Sequence, residues 1–140
     1  MIYEKIILIP SYEADENLVK LVNKIKNYDV DIIVVNDGSN RNFDTYFQRI
    51  ENYAKVLSYD KNHGKGYAFK YGYKYIKENY EQYIVVKMDS DGQHKIEDAL
   101  RLIKYIENHP YDIALGSRKR NKNVPIRSRI GNNITRFIFA

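Results

Sequence analysis

Short apolar runs alternate with amphipathic stretches along almost the whole chain, and this alternation limits the fold more than any other feature. Lys5-Ile6-Ile7-Leu8-Ile9 is an apolar run closed by Pro10, and Val30-Asp31-Ile32-Ile33-Val34-Val35 is a second, closed by the turn cluster Asn36-Asp37-Gly38-Ser39. Ala54–Ser58, Tyr83–Met88 and Asp112–Gly116 follow as further strand candidates. Helical spacing fills the intervals. Asp15 or Ser11 can cap a stretch with Leu18, Val19, Leu21, Val22 and Ile25 on one face, and Phe43–Ile50 reads as a short helix. Lys65–Asn79 carries a stripe of Tyr67, Tyr71 and Tyr75, expected to serve helix packing, beside a stripe of Ala68, Gly72 and Ile76. Ile96–Glu107 carries Leu100, Ile103 and Ile106, and the apolar, basic stretch Ile130–Ala140 begins another helix. Strands alternating with helices build βαβ units, so the expected class is α/β with a mostly parallel sheet.

The 140 residues show no repeat, linker or low-complexity segment, so residues 1–140 read as one domain, large enough for a real core. Cysteine is absent, which excludes a disulfide framework and a thiolate metal site. A strand begins within a few residues of Met1, leaving no room for a signal peptide, and no apolar run approaches the ~20 residues of a membrane span. Charge is unevenly placed. Residues 113–140 hold seven Arg or Lys and no acid, whereas residues 1–112 hold 16 bases and 18 acids. A near-neutral body thus carries a basic segment of the kind that meets phosphates on a nucleotide, a nucleic acid or a membrane surface; the alternative is a solvated basic face.

In an open parallel sheet the loops leaving strand C-termini carry the chemistry. Here they read Pro10-Ser11-Tyr12-Glu13, Asn36-Asp37-Gly38-Ser39, Asp60 to Gly66, Asp89-Ser90-Asp91 and Ser117-Arg118-Lys119-Arg120, all polar and several glycine-rich. The fourth is the most informative. In extended backbone residues i and i+2 face one side, so Asp89 and Asp91 place two mutually repelling carboxylates together at a strand end. A hard cation such as Mg²⁺ or Mn²⁺ relieves that repulsion and keeps coordination sites for phosphate oxygens. The alternative is a solvated Asp-Gly turn. Gly64-Lys65-Gly66 opens a helix, but it is not a P-loop, because the GxxxxGK frame and the following Ser or Thr are missing.

The set of loops, in this order, resembles the family-2 glycosyltransferases of the GT-A fold. The residues that carry the resemblance are Ile9-Pro10-Ser11-Tyr12-Glu13, Val34 to Ser39, Asn62 to Ala68, Asp89-Ser90-Asp91-Gly92-Gln93-His94 and Gly116-Ser117-Arg118. With Pro125, Arg127, Arg129 and Gly131-Asn132 after them, the pattern is most similar to the branch of dolichyl-phosphate mannose synthase and related polyprenyl-phosphate glycosyltransferases. The resemblance implies a Rossmann-like, three-layer α/β/α sandwich that moves a sugar from a nucleotide-diphosphate sugar, UDP- or GDP-linked, to an acceptor such as a polyprenyl phosphate, with inversion.

The resemblance also implies roles. Pro10, Tyr12, Glu13, Asp37, Lys65, Asp89 and Ser90 would bind the nucleotide, with Asp37 on the base, Tyr12 stacked on it and Glu13 on a ribose hydroxyl. Asp89, Asp91 and Gln93 would hold Mg²⁺ or Mn²⁺. Asp91 and Arg118 would serve catalysis, and Arg118, Arg127 and Arg129 the donor or acceptor phosphate. His63, His94 and His109 read as surface or turn residues. The expected setting is cytoplasmic, peripheral at the inner face of a membrane, with no nucleic-acid partner. Transfer to a hydroxyl normally needs a carboxylate base, yet no acid follows Asp112. Either the acceptor is already anionic, as a polyprenyl phosphate is, or the acceptor half lies outside a truncated chain, as the end at Ile134–Ala140 within an apparent helix favours. Two other classes stay open: a non-catalytic nucleotide-binding domain, and a phosphohydrolase of the haloacid-dehalogenase type. The latter normally has Thr or Val where Gln93 stands, and its motif ends the first strand rather than the fourth.

Overall fold

A computed structural model of the chain describes residues 2–109. The expected fifth strand, the final helix, and Arg118, Arg127 and Arg129 lie outside the described residues. Within them the order is β1 (Glu4–Ser11), α1 (Glu16–Ile25), β2 (Asp31–Asp37), a 3-10 turn (Arg41–Phe43), α2 (Asp44–Gln48), β3 (Lys55–Tyr59), α3 (Lys65–Asn79), β4 (Tyr83–Lys87) and α4 (Ile96–Asn108). The four strands form one parallel sheet in the order β3-β2-β1-β4.

The two central strands, β1 and β2, are apolar on both faces because each face is covered, which explains why their runs read as continuous rather than alternating. Ile7 and Ile9 of β1, with Ile32 and Val34 of β2, pack against α1, α2 and α4 through Leu18, Val22, Phe47, Ile96 and Ile103. Ile6 and Leu8, with Ile33 and Val35, pack against Ala68 and Ile76 of α3 on the other face. The result is the expected three-layer α/β/α sandwich. Gly72 lets α3 lie close: a Cβ there would stand 2.5 Å from Leu8 Cδ1. Asp15, not Ser11, caps α1, accepting from Asn17 N–H at 2.8 Å.

One boundary differs from the sequence expectation in an instructive way. β1 does not stop before Pro10 but runs on to Ser11, with Pro10 opposite Val35 of β2. Leu8 C=O accepts from Met88 N–H at 3.0 Å, so Leu8 directs its backbone groups toward β4, and Pro10, two residues on, does the same. The β1–β4 ladder has ended by then, so the missing Pro10 N–H interrupts no pairing. The expected helix Phe43–Ile50 is shorter than expected, split between the 3-10 turn and α2.

Because all strands run the same way, Ser11, Asp37, Tyr59 and Lys87 end on one rim. Chain order turns back at β1, whose neighbours are β2 on one side and β4 on the other. That is the topological switch point, where such sheets open a crevice for ligands.

Candidate active site

Three loops on the rim are tied together by the β2 turn. Asn36 Oδ1 accepts from Ser39 N–H at 3.0 Å and shapes the turn. Gly38 sits at φ +64°, and a Cβ there would collide with the backbone of Lys61 and Asn62, so only glycine lets that segment pass. Ser39 Oγ accepts from Glu13 N–H at 2.9 Å, which fastens the end of β1. Glu13 itself has φ +53°, a left-handed conformation unusual for a side-chain-bearing residue.

Asp37 is the centre of this arrangement. It is only 3% exposed, and its carboxylate accepts three hydrogen bonds: Tyr59 Oη to Oδ1 at 2.7 Å, His63 N–H to Oδ1 at 2.9 Å, and Asn62 Nδ2 to Oδ2 at 3.0 Å. A buried carboxyl group left without such partners would carry a large desolvation cost. Burial, together with the Asp37 carboxylate it donates to, pushes the Tyr59 hydroxyl well above the usual tyrosine range. Tyr12, 51% exposed, stands beside this cluster, and the Glu13 carboxylate raises the pKa of its hydroxyl.

On the other side of β1, Asp89 follows β4 and is met by Lys65 and His94. Lys65 Nζ, at the start of α3, ion-pairs with its Oδ1, and His94 Nε2 lies 3.7 Å from its Oδ2. Asp91 is exposed and accepts the N–H of Gln93 at 3.0 Å, a tight turn completed by Gly92 at φ +76°. Thus the segment Asn62–Lys65 grips β2's Asp37 at one end and β4's Asp89 at the other, spanning the end of β1. Asp89 and Asp91 offer hard oxygen donors, and among the described residues no third acid, His or Cys closes the set. Carboxylate oxygens are the donor type that Mg²⁺ or Mn²⁺ takes, with water and substrate phosphate as further ligands.

The structure therefore gathers Pro10, Tyr12, Glu13, Asp37, Lys65, Asp89, Ser90, Asp91 and Gln93 on one rim, as the strand-end argument expects. Sequence reasoning missed that Tyr59, Asn62 and His63 hold Asp37; His94, expected as a surface or turn residue, is partly exposed and adjoins Asp89. The expected Tyr stripe also divides. Tyr75 joins the core beneath α3, but Tyr67 and Tyr71 are 44% and 37% exposed, with their rings 5.2 and 4.9 Å from Tyr59. Each four-residue step overshoots a helical turn by about 40°, which carries the stripe from solvent toward the sheet. Ser11 Oγ is buried at the end of β1 with no hydrogen-bond partner among the described residues, another feature that no sequence signal marked.

The comparisons with known proteins agree with this geometry. The family model for glycosyl transferase family 2 matches residues 6–138. An uncharacterised protein of Methanocaldococcus jannaschii is 30% identical over 131 residues, covering 91% of this chain and 57% of that protein. The UDP-N-acetylglucosamine–dolichyl-phosphate N-acetylglucosaminyltransferase of Methanococcus voltae is 30% identical over 148 residues, covering 90% and 58%. The dolichol-phosphate mannosyltransferase of Pyrococcus furiosus is 34% identical over 118 residues, covering 80% and 32%. The chain spans little more than half the length of the first two relatives. Among solved structures, S. aureus TarS in its 1–349 form superposes with a TM-score of 0.54 at 21% identity, over 73% of this chain and 32% of that one. That likeness bears on the fold alone, and it is to the expected GT-A sandwich. With the family match running through every described strand, the chain belongs to glycosyl transferase family 2.

Proposed function

We propose that residues 1–140 are the donor-binding domain of a glycosyltransferase that moves a sugar from a nucleoside-diphosphate donor to a polyprenyl phosphate, with inversion. The observation that carries this reading is the Asn62–Lys65 bridge. It places an aromatic and hydrogen-bonding cluster at β2 and a carboxylate–lysine pair at β4 on either side of the switch-point crevice. A nucleoside and a diphosphate need those two kinds of surface, in that order. Tyr12 and Asp37 would meet the base, Glu13 the ribose, and Lys65 and Arg118 the diphosphate. Asp89 and Asp91, with Gln93, would hold Mg²⁺ or Mn²⁺, which when bound stabilises charge on the leaving nucleoside diphosphate.

The acceptor phosphate oxygen attacks the anomeric carbon, the bond from that carbon to the donor phosphate oxygen breaks, and its electron pair leaves with the nucleoside diphosphate. No proton has to be removed from an ionised phosphate, so the chemistry needs no general base. Arg127 and Arg129 would receive the acceptor phosphate. The names of the relatives support this choice, since they include transferases to dolichyl phosphate and a polyprenol monophosphomannose synthase from Mycolicibacterium smegmatis. With such an acceptor the protein would work at a membrane surface. No helix among the described residues is long and apolar enough to cross a membrane.

Thermal shift with UDP, GDP and their sugar conjugates tests the proposal, because a ligand that binds the native state raises the melting temperature. A nucleoside diphosphate should raise it clearly more with Mn²⁺ or Mg²⁺ than with EDTA. Asp91→Asn should abolish the metal-dependent part and leave the unliganded melting temperature unchanged, as expected for an exposed side chain. Equal shifts in EDTA would remove the metal from the reading.

A further inference from the structure

Charge in the described part of the chain is segregated, and the segregation is not where the basic C-terminal segment lies. Residues 61–77 hold Lys61, Lys65, Lys70, Lys74 and Lys77 and no acid, and Glu78 is the one acid of α3; the rest of residues 2–109 hold 11 bases and 17 acids. Most of these lysines lie on α3, whose inner face, through Ala68, Gly72 and Ile76, covers the sheet. Its outer face presents exposed Lys70, Lys74 and Lys77, flanked on one side by Tyr67 and Tyr71, 44% and 37% exposed and against Tyr59 of β3, and on the other by Tyr73, 37% exposed and beside Lys87 of β4. These three lysines have no ion-pair partner among the described residues, in contrast to Lys65. Next to them Lys87 Nζ lies 4.5 Å from the ring centre of Phe69 and 5.5 Å from that of Tyr73, so charge and ring faces share one surface.

A row of unpaired lysines flanked by half-exposed tyrosines on the outer side of one helix matches the boundary layer of a bilayer. There an aromatic ring sits at headgroup depth with its hydroxyl in water, and each ammonium meets anionic lipid. We propose that the outer face of α3 docks the protein on an anionic phospholipid surface. The helix would lie flat, and its 15 residues begin at Lys65, which touches Asp89, so the docked face leads straight to the candidate site. This inference rests on the lipid-phosphate reading above, since it explains how the polar rim of the sheet reaches an acceptor held in a bilayer. It makes α3 a contact additional to the basic segment after residue 113.

Cysteine is absent from the chain, so a single introduced thiol can report the contact without background. An environment-sensitive fluorophore is attached at Lys74→Cys, on α3, or at Lys20→Cys, exposed on α1 across the sheet. Vesicles of equal parts phosphatidylglycerol and phosphatidylcholine should shift the first probe to the blue at low salt and leave the second unchanged. Vesicles of phosphatidylcholine alone should affect neither. In cosedimentation, the triple variant Lys70→Gln, Lys74→Gln, Lys77→Gln should bind about two orders of magnitude more weakly, whereas Arg127→Gln with Arg129→Gln should leave the α3 probe responsive. Vesicle binding with a silent probe at position 74 would assign the contact elsewhere and overturn the proposal, as would no binding at low salt. A response of the α3 probe to a single-stranded oligonucleotide but not to vesicles would also overturn it, in favour of a nucleic-acid surface. Docking without any nucleotide-induced thermal shift would sink the glycosyltransferase reading while leaving the membrane face standing.

Discussion

Replacing Asp37 by alanine separates a structural role from a binding role at the best-defined point of the site. The substitution removes the acceptor of Tyr59 Oη, His63 N–H and Asn62 Nδ2 together. Hydrogen bonds to a charged acceptor contribute ~1.5–3 kcal/mol each, but these donors lie near the surface and water can reach them once the loop loosens. About 1 kcal/mol per donor is then the fair value, and relief from burying a carboxylate offsets part of it. The expected loss is ~2–3 kcal/mol, read as a lowered urea midpoint with an unchanged slope. Tyr59→Phe removes one donor only and should cost ~1 kcal/mol, and a double-mutant cycle should show the two effects to be strongly coupled. Nucleoside diphosphate affinity, measured by calorimetry on protein that is still folded, should fall ~5-fold or more in Asp37→Ala, since the base would lose its partner as well. In Tyr59→Phe it should fall less, because the carboxylate remains. A stability loss below ~0.5 kcal/mol for Asp37→Ala would refute the claim that this carboxylate fastens the 60–64 segment. Unchanged affinity alongside lost stability would leave Asp37 as a loop fastener and move base recognition elsewhere.

Two further outcomes follow from the same structure. Gly38→Ala forces a Cβ into the backbone of Lys61 and Asn62 at a positive φ, so it should cost ~2–4 kcal/mol and impair nucleotide binding; chemical denaturation showing less than ~1 kcal/mol would contradict the close passage. Tyr80 donates to Asp31 at 3.0 Å, and burial followed by that hydrogen bond pushes its pKa from 10.0 up to about 12. A raised pKa means that the stabilisation is fully present below about pH 10 and is lost as pH climbs through about 12. The stability difference between the native chain and Tyr80→Phe should therefore shrink over that window, and a constant difference would show that the hydroxyl does not titrate as argued.

Much of this architecture is legible in one sequence. Runs such as Lys5–Ile9 and Val30–Val35, apolar at consecutive positions, can bury both faces only in a covered parallel sheet, and the helical spacing between them supplies the cover. Polar strand-end loops then follow as a matter of topology, which is why Asp37, Asp89 and Asp91 could be singled out with no structure in view. What the tertiary structure decided are the pairings between distant residues. Nothing local to Asp37 tells that Tyr59, Asn62 and His63, 22 to 26 positions away, would satisfy it; that depends on β3 lying beside β2 in register Asp37 to Tyr59. Nor does the Tyr67–Tyr71–Tyr75 spacing reveal where the stripe leaves solvent, because a helix drifts relative to a four-residue repeat and only its seating on the sheet sets the origin. Pro10 makes the same point for the backbone. Its own chemistry says stop, but a missing N–H matters only where a neighbour would have accepted from it, and β4 ends too early to do so. Local sequence determines which elements form and which ends are polar; long-range register determines which of those polar groups meet.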